Sequence, residues 1–280
     1  MSIATISKNN ITSIALGGFD GMHLGHQELF KHLDKNGAVV VIDNEISTLT
    51  PHNERKKHTS YPIFYLKLKD IWHLDAKDFI TLLKNEFKNL KKIVVGYDFH
   101  FGKDRKYDAI YLKKYFDFDV IIVKEVKIDG ISVHSRHIRD FIQKGDIKTA
   151  NKLLGYNYTI NGEVIKGQGI GSKELVATIN LKIKNFTLPK EGVYAAFTRI
   201  DNEEHFLKSV SFVGHRVTTD NSFAVETHII DKKIDCKEKA FISFVDFIRD
   251  NEKFDDIKTL KQTILNDIKT AKKKLDYLSL

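Results

Sequence analysis

The sequence predicts two consecutive units of different class. An α/β unit on a parallel sheet comes first, followed by an antiparallel β unit, a barrel or sandwich, that ends in a long helix. Three observations predict it. From Ile11 to about Gly155, short β-branched runs alternate with longer amphipathic ones. Beyond Gly155, four glycines (162, 167, 169 and 171) fall within ten residues, and only short apolar runs follow. The tail then carries Ile257, Leu260, Ile264, Ile268 and Ala271 at helical spacing.

The expected strands of the first unit are Ile11–Leu16, Ala38–Ile42, Lys92–Val95 and Asp119–Val123. Helical candidates lie between them near Gly25–Leu33, Ala76–Phe87 and Tyr107–Tyr115, which makes βαβ units. A parallel sheet binds ligands at the carboxyl ends of its strands, so the loops after those strands are where chemistry is expected. Asp146–Leu154 is the last helix before a boundary near Gly155, dividing the chain into 1–155 and 156–280. The second unit's expected strands are Tyr158–Ile160, Glu163–Ile165, Thr178–Ile183, Val193–Ile200, Phe206–Phe212 and Phe223–Ile230.

Composition narrows the function. Across 280 residues, 42% hydrophobic and 29% charged describe an ordinary globular chain, and 3 prolines argue against long disordered linkers. No apolar stretch approaches the ~18 residues that span a bilayer, and MSIATISKNN shows no secretory pattern. A single cysteine, Cys236, excludes an internal disulfide framework and a cysteine zinc cage, which suits the cytoplasm. The net charge of +8 fits an anionic partner, but the lysines are scattered over segments read as helices, so charge alone does not choose the ligand.

The first strand runs into Gly17-Gly18-Phe19-Asp20-Gly21-Met22-His23-Leu24-Gly25-His26. Glycines let backbone N–H groups approach a phosphate, and a helix starting near Gly25 points its positive end to the same place. Two histidines three apart at that helix start can donate to charge developing on a phosphoryl group. This run resembles the nucleotidyltransferase signature, in the form found in the bacterial bifunctional riboflavin kinase/FMN adenylyltransferase (FAD synthetase) family. Val95-Gly96-Tyr97-Asp98-Phe99-His100-Phe101-Gly102 resembles that family's second loop, which implies that Asp98 lines the flavin-nucleotide site. The family's Ser-Ser-Thr-x-Ile-Arg stands here as His134-Ser135-Arg136-His137-Ile138-Arg139. Ser135 and Arg139 are kept, and Arg136 brings a guanidinium suited to bidentate phosphate contact. Where the family has Thr-Phe-x-Pro-His-Pro, this chain has Ile42-Asp43-Asn44-Glu45.

The resemblance continues through the second half. Residues 162–181 are similar to the family's kinase opening, with Gly167 and Gly171 in the glycine-rich stretch and Ala177-Thr178-Ile179-Asn180 in place of Pro-Thr-Ala-Asn. Thr178 and Asn180 are thereby implied to contact Mg²⁺ and ATP phosphates, and both carry hard oxygen donors. Leu188-Pro189, Gly192-Val193-Tyr194, Gly214-His215-Arg216-Val217-Thr218 and Val225-Glu226-Thr227-His228 follow in the family's order. Glu226 is implied to be the general base for the ribityl hydroxyl of riboflavin.

The resemblance therefore implies a Rossmann-like nucleotidyltransferase domain and a β-barrel riboflavin kinase domain. The kinase would make FMN from riboflavin and Mg-ATP, and the first domain would make FAD and pyrophosphate from FMN and a second ATP. Gly17, Gly18, Phe19, Asp20, Gly21 and Gly25 would cradle nucleotide with Asp98, Ser135 and Arg136, while His23, His26 and Arg139 would act in catalysis. Neither a nucleic-acid nor a membrane partner is expected, and the oligomeric state stays open. The alternatives are a chain with one active module, another nucleotidyltransferase such as a cytidylyltransferase, and a basic nucleic-acid binder.

Overall fold

The computed structural model describes residues 7–166, 176–201, 203–218, 220–232 and 238–276. Its contacts fall into two compact units, Met1–Ser135 and Arg136–Leu280.

The first unit is built on a five-stranded, all-parallel sheet in the order β3-β2-β1-β4-β7. Its elements are β1 (Ser13–Gly17), α1 (Leu24–Phe30), β2 (Gly37–Asp43), β3 (Ile63–Lys67), α2 (Leu68–Ile71), α3 (Ala76–Glu86) and β4 (Lys92–Gly96). Two short paired strands, β5 (His100–Phe101) and β6 (Tyr107–Asp108), precede α4 (Ala109–Tyr115) and β7 (Asp119–Val123). A second short pair, β8 (Lys127–Ile128) and β9 (Ile131–Ser132), leads to α5 (Ser135–Lys144).

Successive side chains of a strand face opposite ways, so a sheet covered on both sides needs continuous apolar strands. Ile14, Leu16, Val40, Ile93 and Val95 pack on Phe79, Leu83 and Phe87 on one face. Ala15, Val39, Val41 and Val94 pack on Leu29, Phe30 and Leu33 on the other. Strand order reverses at β1, which makes the carboxyl ends of β1 and β4 the natural ligand crevice. Asp75 and Asp108 cap α3 and α4, accepting from the N–H of Asp78 and Tyr111. The Asp108 cap starts α4 two residues later than the apolar pattern suggests.

The second unit takes in α5 from Arg136 onward and then α6 (Ile147–Leu154), which is stopped by Gly155 at φ 81. Its six antiparallel strands close a barrel in the order β10-β11-β14-β13-β12-β15. They are β10 (Thr159–Ile165), β11 (Ile179–Ile183), β12 (Gly192–Ile200), β13 (Leu207–His215), β14 (Phe223–Ile229) and β15 (Lys239–Asp250), and α7 (Ile257–Leu275) follows. The two runs expected at 158–160 and 163–165 are one strand. Asn151 of α6 donates to Phe244 O at 2.9 Å and accepts from Tyr158 N at 2.7 Å. Those bonds tie α6 to the barrel, so the compact unit starts ahead of Gly155.

Beyond the two-residue strands β5, β6, β8 and β9, two longer strands escape the sequence pattern. β3 is an edge strand that runs straight into α2, so no turn residue marks its end. β15 is a long apolar run, and periodicity does not separate a buried strand from a buried helix. The α7 stripe is also only partly an apolar seam: Ala271 and Leu275 are buried, Ile257 is exposed, and the buried Asp267 ion-pairs with Arg249 of β15.

Candidate active sites

The first site grows from the end of β1. Phe19 and Met22 hold positive φ of 48° and 40°, with Gly21 at 85°, so the turn is wound tightly in a region that costs non-glycine residues energy. Neighbours hold it there. The Asp20 carboxylate accepts from the main-chain N–H of Thr48, Leu49 and Thr50, and Thr50 Oγ1 accepts from Gly21 N at 2.8 Å. Ser135 Oγ donates to Asp20 O at 2.7 Å. Asp20, Gly21 and Ser135 thus spend the groups named here on the turn itself. Gly18 has open space where a Cβ would stand, whereas a Cβ on Gly25 would meet His23 Nδ1 at 3.1 Å and Val133 O at 3.2 Å.

His23 caps α1: its Nδ1 accepts from His26 N at 3.3 Å, which places the ring proton of the neutral form on Nε2. Burial first, then the neighbouring His134, pushes the His23 pKa down to about 3. His26 is held well below its ordinary value by burial, then by His23, Arg55 and His134. Its Nδ1 is buried with no hydrogen-bond partner. A neutral imidazole donates through one N–H, so the pair can act as neutral donors at pH 7.

Asp98 follows β4 and is exposed. Its Oδ2 lies 3.9 Å from His134 Nδ1, and His134 Nε2 is 3.0 Å from the Tyr97 hydroxyl. Arg136 is exposed and Arg139 half-buried on α5, both in the second compact unit.

In the barrel, Asn180 of β11 and Glu226 of β14 are direct register partners. Thr178 Oγ1 donates to Glu226 Oε2 at 3.0 Å. Arg216, just past β13, donates from Nε to Glu226 Oε1 at 2.6 Å, from one terminal nitrogen to Asn180 Oδ1 at 2.5 Å, and from the other to Ser222 Oγ at 2.8 Å. His228 Nδ1 lies 2.8 Å from Ala177 O. Hydroxyl, amide and carboxylate oxygens together suit Mg²⁺, which also keeps waters and phosphate oxygens. Among the described residues no group of three or more His, Cys, Asp or Glu could hold a metal. Gly167 and Gly171 lie outside the described residues.

Two protein-family models match the chain: "Riboflavin kinase" over residues 154–275 and "FAD synthetase" over 5–68 and 63–137. A bifunctional riboflavin kinase/FMN adenylyltransferase of Buchnera aphidicola is 32% identical over 302 residues, covering 97% of this chain and 95% of that protein. The chain belongs to this bifunctional family. The enzyme of the same description from Listeria monocytogenes is 29% identical, with coverage of 88% and 87%. A crystal structure from Streptococcus pneumoniae, described as a macrolide-efflux protein, superposes with a TM-score of 0.82 at 29% identity, covering 97% of this chain and 96% of that one. Among the described residues no helix is long and apolar enough to cross a membrane.

For a chain of this family, three polar residues at the two sites carry no role in the sequence reading. Arg216 stands within a motif, but its contacts depend on strand register. Thr50 and Arg55 sit in a polar stretch that reads as solvated loop, and no local signal separates them from their neighbours.

Proposed function

We propose that the chain performs both steps from riboflavin to FAD. In the barrel, Glu226 takes the proton of the ribityl hydroxyl as its oxygen attacks the γ-phosphorus of ATP, giving FMN and ADP. In the first unit, an FMN phosphate oxygen attacks the α-phosphorus of a second ATP, pyrophosphate leaves, and the neutral His23 and His26 donate to the developing charge. The family motif assigns Arg139 and Arg136 to the same step, while Ser135, Asp98 and the Gly17–Gly25 turn shape the nucleotide site. Thr178 and Asn180 would hold Mg²⁺, which neutralises phosphate charge when bound. Gly167 and Gly171 are assigned to the nucleotide of the kinase step.

The observation that carries this reading is that each family match falls on a unit with its own polar cluster. We draw the functional boundary near Gly155, where the kinase match begins, and place the protein in the cytoplasm on its cysteine usage. Incubation with riboflavin, ATP and Mg²⁺, with products separated, tests it. Both FMN and FAD are expected. FMN alone, or FAD only when FMN is supplied, would leave one active unit and overturn the two-step reading.

A further inference from the structure

Arg55 is the largest side chain among those buried almost completely in the described residues, with 1% of its surface exposed. Its guanidinium lies beneath the turn after β1. Nε donates to Phe19 O at 3.2 Å, and one terminal nitrogen donates to Gly18 O at 3.4 Å and to Ser47 Oγ at 2.5 Å. Among the described residues no carboxylate lies within ion-pair distance of it. A buried cation without a counter-charge is costly, and replacing it with an apolar group of similar volume would ordinarily be neutral or better for stability.

Its place says what the charge does. The carbonyls of Gly18 and Phe19, at the left-handed bend of the turn, are held on the guanidinium and so kept away from an anion on the turn's other side. The same charge acts on His26, whose Nδ1 is buried without a partner. Cation, orphan imidazole nitrogen and glycine turn converge, and the carboxylate of the turn, Asp20, is directed at three main-chain amides rather than at the guanidinium.

We propose that Arg55 is a positioning residue of adenylyl transfer: it shapes the turn and supplies the buried positive charge that a nucleotide's polyphosphate compensates on binding. This rests on the reading of the first unit as the FMN adenylyltransferase. A role in holding the turn alone would change how much enzyme is active. A role in the field changes polyphosphate affinity and the ionisation of the histidine pair as well.

The test uses the full chain with Arg55→Met and Arg55→Lys. FAD formation from FMN is measured against ATP concentration and pH, and FMN formation from riboflavin serves as the internal control. Arg55→Met is expected to raise the KM for ATP about 10-fold or more, since a charged hydrogen-bonding cation is lost. Its acid limb should move to higher pH, because His26 then protonates more readily. Arg55→Lys keeps the charge but not the fork, so the acid limb should stay and part of the KM return. FMN formation should stay within about twofold in both. Should Arg55→Met fail to fold, the lysine variant still decides, since an acid limb moved as far as a charge loss would predict contradicts a field effect. A lower kcat with unchanged KM and pH profile in either variant overturns the proposal. Wild-type protein that makes no FAD from FMN and ATP refutes the functional reading itself, and this inference with it.

Discussion

His23 and His26 stack face to face at the start of α1, ring centroids 3.5 Å apart and planes 18° from parallel. Two imidazolium rings would repel at that separation, so the pair belongs to the neutral state. Burial is the first cause for both, carrying His23 down to about 3 and His26 well below its ordinary value. An unfolded histidine takes up a proton below about 6.5, which the folded pair refuses. The pair's contribution to stability is therefore complete above about pH 6.5 and drains away as the pH falls toward 3. The expected slope is about 1.4 kcal/mol per pH unit for each ring. Urea unfolding followed by Trp72, the chain's only tryptophan, reports the first unit. Its midpoint should fall between about pH 6.5 and 4, and a His23→Gln/His26→Gln protein should lose most of that slope. An equal slope in the double variant would place the acid sensitivity elsewhere.

Glu226 offers a test that separates the two units. Both carboxylate oxygens are engaged, one by Thr178 and one by Arg216, so the side chain is oriented without substrate. Glu226→Gln keeps the shape and removes the base. FMN formation should drop by about 10²–10⁴-fold, while FAD formation from supplied FMN stays near wild type. Loss of both activities would undo the division of labour.

Much of this was legible in the sequence where chemistry is local. The Gly17–His26 run encodes turn, cap and helix start within ten residues, and its position at the end of β1 follows from the strand pattern. Contacts made across the fold were not legible. Arg55 reaches Phe19 from a stretch, Glu54 to His58, whose charges look solvated. Asp20 reads as a ligand-facing residue of the signature, yet its carboxylate is spent on three main-chain amides. Asn180 and Glu226 meet only because β11 and β14 pair in one particular register.

Arg216 should matter to the kinase step without touching the phosphoryl group. It bridges the proposed base and the Asn180 amide, so its removal frees both side chains to rotate. Hydrogen bonds to charged groups are worth about 1.5–3 kcal/mol, so Arg216→Met should slow FMN formation by roughly 10- to 100-fold. Arg216→Lys should recover only part, because a point charge cannot span both acceptors. Riboflavin turnover measured beside FMN adenylylation isolates the effect. Partial recovery by lysine fits the bridge; full rescue by lysine refutes it.

An ion pair between Arg249 of β15 and Asp267 joins α7 to the barrel. Arg249 grips Asp267 through Nε, at 3.0 and 3.1 Å to the two carboxylate oxygens, and through a terminal nitrogen at 2.9 Å. The carboxylate is almost wholly buried, and burial outweighs the guanidinium, pushing the Asp267 pKa up from its ordinary value. Desolvation thus costs more than the pair returns, and the two possible kinds of substitution should differ in sign. Asp267→Ala strands a half-buried arginine, although Glu252 at 3.3 Å gives it some relief, so the expected cost is about 3 kcal/mol, the low end for a broken buried pair. Replacing both partners, Arg249→Met with Asp267→Leu, should leave stability near or above wild type. Differential scanning calorimetry of the single and double variants checks this. A double variant as unstable as Asp267→Ala would mean that the ion pair itself, rather than the shape and burial of the seam, fastens the helix.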